Sequence, residues 1–183
     1  MKTGVCVPQV TFKTRVGDIE PEEGGCPIGG VWQQLTTEDL FKDKRVIVIS
    51  LPGAFTPTCS TYQLPGFEEG FEDFRAQGVD EIYCISVNDS FVMNAWAQHL
   101  GINNIRVIAD GNGDFTRQMG MLVEKSNLGF GYRSWRYAMV VNNGVVEAWF
   151  EEPGRSDNAG SDPYGETAPA NVMAALTRGN LPA

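Results

Sequence analysis

Two nearly continuous apolar runs, Val46 to Leu51 (VIVISL) and Ile82 to Val87 (IYCISV), constrain this chain more than any other feature. A strand with one wet face alternates polar and apolar residues. Runs without that alternation belong to a largely parallel sheet covered on both faces. Between them Phe67, Phe71 and Phe74 recur at i, i+4 and i+7, with Glu68, Glu69, Glu72 and Asp73 opposite and Gly78 closing the pattern. That spacing predicts an amphipathic helix, and so a right-handed βαβ unit. A second helix is expected from a cap at Asp89 or Ser90 through Leu100, stopped by Gly101, and then a strand over Ile105 to Ala109. Asp110-Gly-Asn-Gly-Asp114 reads as a turn whose last aspartate caps a short helix over Phe115 to Met121. Asn142-Asn143-Gly144, between Ala138 to Val141 and Val145 to Phe150, is a hairpin signal.

A last helix over about Pro169 to Arg178 completes an order suited to an α/β, thioredoxin-like fold, with a mixed central sheet flanked by helices. Val10 to Arg15 and Val31 to Leu35 predict an N-terminal β extension bridged by the loop Asp18 to Gly30, and Pro153 to Thr167 reads as a loop. At 183 residues the chain suits a single domain, 1–183. Fourteen basic against twenty-three acidic residues give a net charge of −9, which argues against nucleic acid or an anionic membrane as partner. Neither a membrane-length apolar run nor an N-terminal apolar leader is present, so the expected setting is cytoplasmic and reducing.

The scarce reactive residues are four cysteines and one histidine. Cys6, Cys26, Cys59 and Cys84 contain no Cys-x-x-Cys and no ligand spacing for zinc, so no metal and no cofactor is expected. Cys59 differs from the others in its surroundings. Strand 46–51 ends in Pro52-Gly-Ala-Phe-Thr56-Pro-Thr-Cys59, after which the chain can turn helical. The first turn of a helix has unpaired N–H groups and the positive end of the macrodipole, and both favour thiolate over thiol. Pro57 supplies a helix start with no wasted donor, and Thr56 can bring a hydroxyl near the sulfur. His99, at the end of its helix, suits a partly exposed residue with no catalytic role. The calcium-like spacing of Asp110, Asn112 and Asp114 fails at Phe115 and Met121, and GFG at 129–131 reads as a turn.

The run SLPGAFTPTCS resembles the Pro-x-x-x-Thr-x-x-Cys motif of the peroxiredoxins, here Pro52, Thr56 and Cys59. SVNDSFVMNAW, DGNGDFTRQMGM and GFGYRSWRYAMVVNNGVVE are similar to the type II, peroxiredoxin-5-like branch, especially its bacterial forms fused to glutaredoxin. The resemblance spans roughly Val7 to Glu152. It implies a thiol peroxidase that reduces hydrogen peroxide and organic hydroperoxides through a sulfenic acid on Cys59. It further implies that Arg136 holds the peroxide and stabilises the thiolate, and that the protein is a homodimer meeting around the active-site loops. Gly53, Phe55 and Phe130 are expected beside the substrate, with Trp96, Phe55 and Phe130 lining an apolar pocket or a self-association surface, or else packing in the core. Arg133 and Arg117 lie near enough in sequence to be mistaken for Arg136.

The chain departs from the two-cysteine members of that branch, because SDPYGETAPANVMAAL, ahead of and within the last helix, contains no resolving cysteine. Glutathione, with glutaredoxin or a second glutathione, is therefore the expected reductant. The alternatives are an internal disulfide of Cys59 with Cys26 or Cys84 recycled by thioredoxin, and a non-catalytic binding or chaperone module. Cys84, in a core strand, is expected to be inert.

Overall fold

The computed structural model describes residues 2–16 and 30–179. The N-terminal extension is a hairpin of β1 (Thr11–Val16) and β2 (Val31–Thr36), paired antiparallel from Thr11↔Thr36 to Val16↔Val31. The Asp18 to Gly30 loop expected between them, with Cys26, lies outside the described residues except for Gly30. Helix α1 (Thr37–Phe41) opens on a reciprocal cap in which Thr36 and Asp39 each bond the other's backbone N–H. There follow β3 (Arg45–Ser50), a π-helical turn (Cys59–Gln63), α2 (Leu64–Glu69), α3 (Phe71–Ala76), β4 (Glu81–Ser86), α4 (Ser90–Leu100) and β5 (Arg106–Ala109). The chain continues through α5 (Asp114–Gln118), β6 (Leu122–Glu124), β7 (Tyr132–Ser134), β8 (Tyr137–Asn142), β9 (Val145–Glu151) and α6 (Pro169–Arg178).

The central sheet has the order β5-β4-β3-β8-β9, in which β3, β4 and β5 are parallel and β8 and β9 antiparallel to their neighbours. Its two faces explain the apolar runs. Ile47, Ile49 and Cys84 pack with Phe67, Phe71, Phe74, Trp96 and Leu176 on one side, whereas Val46, Val48, Tyr83 and Ile85 pack with Phe12, Leu40, Phe41 and Phe115 on the other. Every residue from Val46 to Leu51 is therefore buried. Asn143 and Gly144 both take positive φ, 46° and 80°, the twist a two-residue hairpin turn needs.

Two local expectations are corrected, and one element is added. The Phe67–Phe74 helix is two short helices meeting at Gly70, whose ψ of 3° breaks the helical path, although all three phenylalanines remain buried. The cap of α5 is Asp110 and not Asp114: the buried Asp110 carboxylate accepts from the backbone N–H of Phe115 and Thr116 and from the Thr116 hydroxyl, while Asp114 pairs with Arg117 on the surface. The short β6–β7 hairpin, with GFG in its turn, was not apparent from strands of three residues. Among the described residues no helix is long and apolar enough to cross a membrane.

Candidate active site

β3 delivers the chain to the C-terminal edge of the sheet, where Pro52 and Gly53 are buried and Phe55 turns the backbone sharply with φ 59°. A non-glycine residue there costs on the order of 1 kcal/mol or more, so the surrounding structure must hold it. The Thr56 carbonyl then accepts from the Ser60 N–H at 3.0 Å, which starts the helix and places Cys59 in its first turn. From Cys59 to Gln63 the helix is wound as a π turn, a form concentrated at functional sites.

Cys59 is fully buried. Arg136, immediately before β8, reaches it across the sheet: Nη1 lies 3.4 Å from Sγ and also donates to Gln63 Oε1. The same guanidinium pairs through Nη2 with Asp162, donates through Nε to the Pro163 carbonyl at 3.2 Å and stacks 5.8 Å from the Tyr164 ring. It is 1% exposed. Burial alone works against its charge, but the Cys59 sulfur and Asp162 outweigh that and hold its pKa above the usual arginine value.

Gln63, Asp162 and Glu152 carry this geometry and were missed in the sequence. Gln63 had a signal, since four residues after Cys59 it shares a helix face with the sulfur. Asp162 had none, because it lies 26 residues beyond Arg136 in a segment that reads as ordinary loop. Glu152, buried, organises that loop: its Oε1 accepts from the N–H of Gly165 and Thr167 and from the Thr167 hydroxyl, and Gln63 Nε2 donates to the same hydroxyl at 3.3 Å.

The other candidates scatter. The Thr56 hydroxyl donates to the Gly53 carbonyl at 2.7 Å and not to the sulfur, leaving its lone pairs free to accept. Phe55 is 54% exposed and packs its ring 5.7 Å from that of His99, itself exposed. Phe130 lies against Arg133, whose Nε donates to its carbonyl and whose Nη1 borders Gly53. Trp96 is a core residue, and its indole N–H donates to Ser60 Oγ at 3.0 Å, bracing the turn that carries Cys59.

Cys84 lies in β4, buried in the same apolar cluster as Cys59, and both are free thiols. Burial first, and the neighbouring Cys59 second, push the Cys84 thiol well above its ordinary range. It is therefore protonated at neutral and mildly alkaline pH. Iodoacetamide at pH 8 is expected to label exposed Cys6 in the folded protein and Cys84 only after denaturation, as read by peptide mass spectrometry. Cys6 pairs with Val145 at the far end of the β8–β9 hairpin, six strand residues from Arg136, or roughly 20 Å at about 3.4 Å per residue.

Comparison with known proteins places the chain in a family. The redoxin family model matches residues 30–162. A peroxiredoxin of Rhizobium etli is 59% identical over 170 residues, 93% of each chain. The chain belongs to the peroxiredoxin family. This peroxiredoxin is also 53% identical over 161 residues to the hybrid peroxiredoxin hyPrx5 of Haemophilus influenzae, covering 88% of this chain and 60% of that one. Among solved structures, the Plasmodium falciparum antioxidant protein, described as a 1-Cys peroxiredoxin, superposes with a TM-score of 0.87 at 37% identity, covering 97% of this chain and 99% of that one. Reduced Prx3 of Vibrio vulnificus in complex with hydrogen peroxide gives a TM-score of 0.79 at 32% identity, covering 96% and 99%. The thioredoxin-like peroxiredoxin fold and a thiol peroxidase activity follow for this chain.

Proposed function

We propose that Cys59 is the peroxidatic nucleophile, that Arg136 and Thr56 orient the peroxide, and that the oxidised enzyme is resolved by glutathione. The observation that carries the first part is the Arg136 guanidinium fixed 3.4 Å from the sulfur by partners on its other edges. The Cys59 thiolate attacks the terminal peroxide oxygen. The S–O bond forms as the O–O bond breaks, giving Cys59–SOH and an alkoxide or hydroxide that takes a proton to leave as alcohol or water. Negative charge moves from sulfur onto oxygen along that axis, and a guanidinium already in place stabilises it without reorganising. Thr56, its hydroxyl hydrogen committed to Gly53, acts as acceptor for the peroxide O–H and so selects the attacked oxygen. Pro52 and Gly53 shape the loop that holds it.

External resolution is supported by where the other thiols among the described residues lie: Cys84 is sealed in the core and Cys6 is at the opposite end of the sheet. One glutathione thiolate attacks the sulfur of Cys59–SOH: the S–S bond of the mixed disulfide forms as the S–O bond breaks, and the displaced hydroxide takes a proton to leave as water. A second glutathione, or a glutaredoxin, attacks the glutathione sulfur of that disulfide and releases the Cys59 thiolate, itself leaving as glutathione disulfide or glutathionylated glutaredoxin. The 1-Cys description of the Plasmodium relative supports the same reading. Intact mass after one equivalent of peroxide should show addition of one oxygen, or one glutathione when glutathione is present, and Cys26→Ser should retain glutathione-dependent turnover. An internal disulfide, or turnover lost in Cys26→Ser while single-turnover peroxide reduction survives, would overturn external resolution. The reading extends to a homodimer about the active-site loops, supported by exposed Phe55 and Tyr62 flanking the site and testable by light scattering.

A further inference from the structure

A second arginine lies against the active-site loop, and the reactions above do not use it. Arg133, partly buried on β7, donates through Nε to the Phe130 carbonyl at 3.0 Å and through Nη1 to the Val87 carbonyl at 3.1 Å, with its guanidinium 5.7 Å from the Phe130 ring centre. These bonds engage the Nε hydrogen and one hydrogen of Nη1. Among the described residues no carboxylate pairs with it and Nη2 has no protein acceptor. Burial consequently pulls its pKa below the usual arginine value, with nothing to offset the loss.

Gly53 lets this cation come close. A β-carbon at position 53 would stand 2.9 Å from Arg133 Nη1, 3.4 Å from Asn88 Oδ1 and 3.6 Å from Thr56 Cγ2. Asn88 Oδ1 accepts from the Ala54 N–H at 3.0 Å, so the loop is held from the same side that Arg133 occupies. Arg133 thus sits beside Gly53 and Thr56, on the loop that leads into Cys59, as a fixed and uncompensated charge. An arginine anchored through Nε and Nη1, with Nη2 and the second Nη1 hydrogen unengaged by the protein, is suited to a carboxylate.

We propose that Arg133 is an anion subsite that receives a carboxylate of the incoming thiol reductant, orienting a carboxylate-bearing thiol such as glutathione toward oxidised Cys59. Arg136 faces the sulfur and the peroxide, whereas Arg133 faces the reductant. This rests on glutathione as the resolving thiol.

The test is steady-state turnover at saturating hydrogen peroxide, an uncharged oxidant, so that the thiol is the only carboxylate donor. Glutathione, its glycyl monoethyl ester and the neutral thiol 2-mercaptoethanol are compared in wild type, Arg133→Met and Arg133→Lys. The ratio of second-order rate constants, glutathione over 2-mercaptoethanol, is expected to fall about ten-fold in Arg133→Met, with partial recovery in Arg133→Lys and a weaker salt dependence. Loss of discrimination between glutathione and its ester in Arg133→Met identifies the glycyl carboxylate; discrimination retained beside a lowered ratio identifies the γ-glutamyl carboxylate. A ratio unchanged by Arg133→Met, including equal loss with both thiols, overturns the subsite and leaves glutathione resolution standing. Wild type that glutathione does not turn over, while thioredoxin does, overturns the parent reading and the subsite together.

Discussion

Cys59→Ser is expected to reduce peroxide consumption to the uncatalysed background. A serine hydroxyl remains protonated at neutral pH and is a poor nucleophile toward the O–O bond, so no neighbouring donor can restore the reaction. The substitution should leave the fold intact, because sulfur and oxygen are close in size and the new hydroxyl can accept from Arg136 where the sulfur did. Circular dichroism and thermal unfolding close to wild type, with no peroxide loss in a sensitive assay, are the expected pair of results. Undiminished activity in that variant would remove Cys59 from the mechanism and with it the whole functional reading.

Arg136→Met is expected to lower kcat/KM for hydrogen peroxide by about 10²–10³-fold, the loss typical of deleting one preorganised donor to developing charge. Expressed as free energy this is about 3–4 kcal/mol at ~1.4 kcal/mol per decade. Methionine keeps the length and apolar stem, so the comparison removes charge and donors more than volume. The partners left behind tolerate the change unequally. Asp162 is 39% exposed on its side chain and can turn to water, but Gln63 is fully buried and loses a donor. A destabilisation of about 1–3 kcal/mol should therefore accompany the kinetic loss. Stopped-flow measurement of sulfenic acid formation separates the two, since the unfolded fraction lowers amplitude whereas loss of the guanidinium lowers rate. A rate within three-fold of wild type would show that Arg136 is a structural ion and not part of the peroxide site.

These residues differ in how visible they are in a linear sequence. Cys59 is legible because its setting is local: a strand, a proline-bearing elbow and a helix start follow within a dozen residues. Cys84 is legible as inert for a similar reason, since a run without alternation implies burial on both faces of the sheet. Arg136 is visible through family resemblance, not local chemistry, because a basic residue before a strand is ordinarily solvated. Here it is 1% exposed, and what makes that tolerable is a ring of acceptors from two distant segments, the turn that holds Gln63 and the loop that holds Asp162 and Pro163. The segment containing Asp162 shows no periodicity, and its ordering depends on Glu152, whose carboxylate gathers Gly165 and Thr167. Similarly, Asp114 looks like the helix cap because it adjoins the helix, yet the turn folds back so that Asp110 reaches the free N–H groups.

What the linear sequence determined by itself is whatever short-range sterics and periodic burial control: the strands, most helix ends, the Asn-Gly hairpin, the inert thiol and the elbow that presents Cys59. What only the tertiary structure decided is which charges stand at that elbow. Electrostatic effect depends on distance and desolvation, and both are set by sheet order and loop closure, not by separation along the chain. By that route Arg136, 77 residues from Cys59, comes within 3.4 Å of its sulfur, and Arg133, only three residues earlier, comes instead against Gly53.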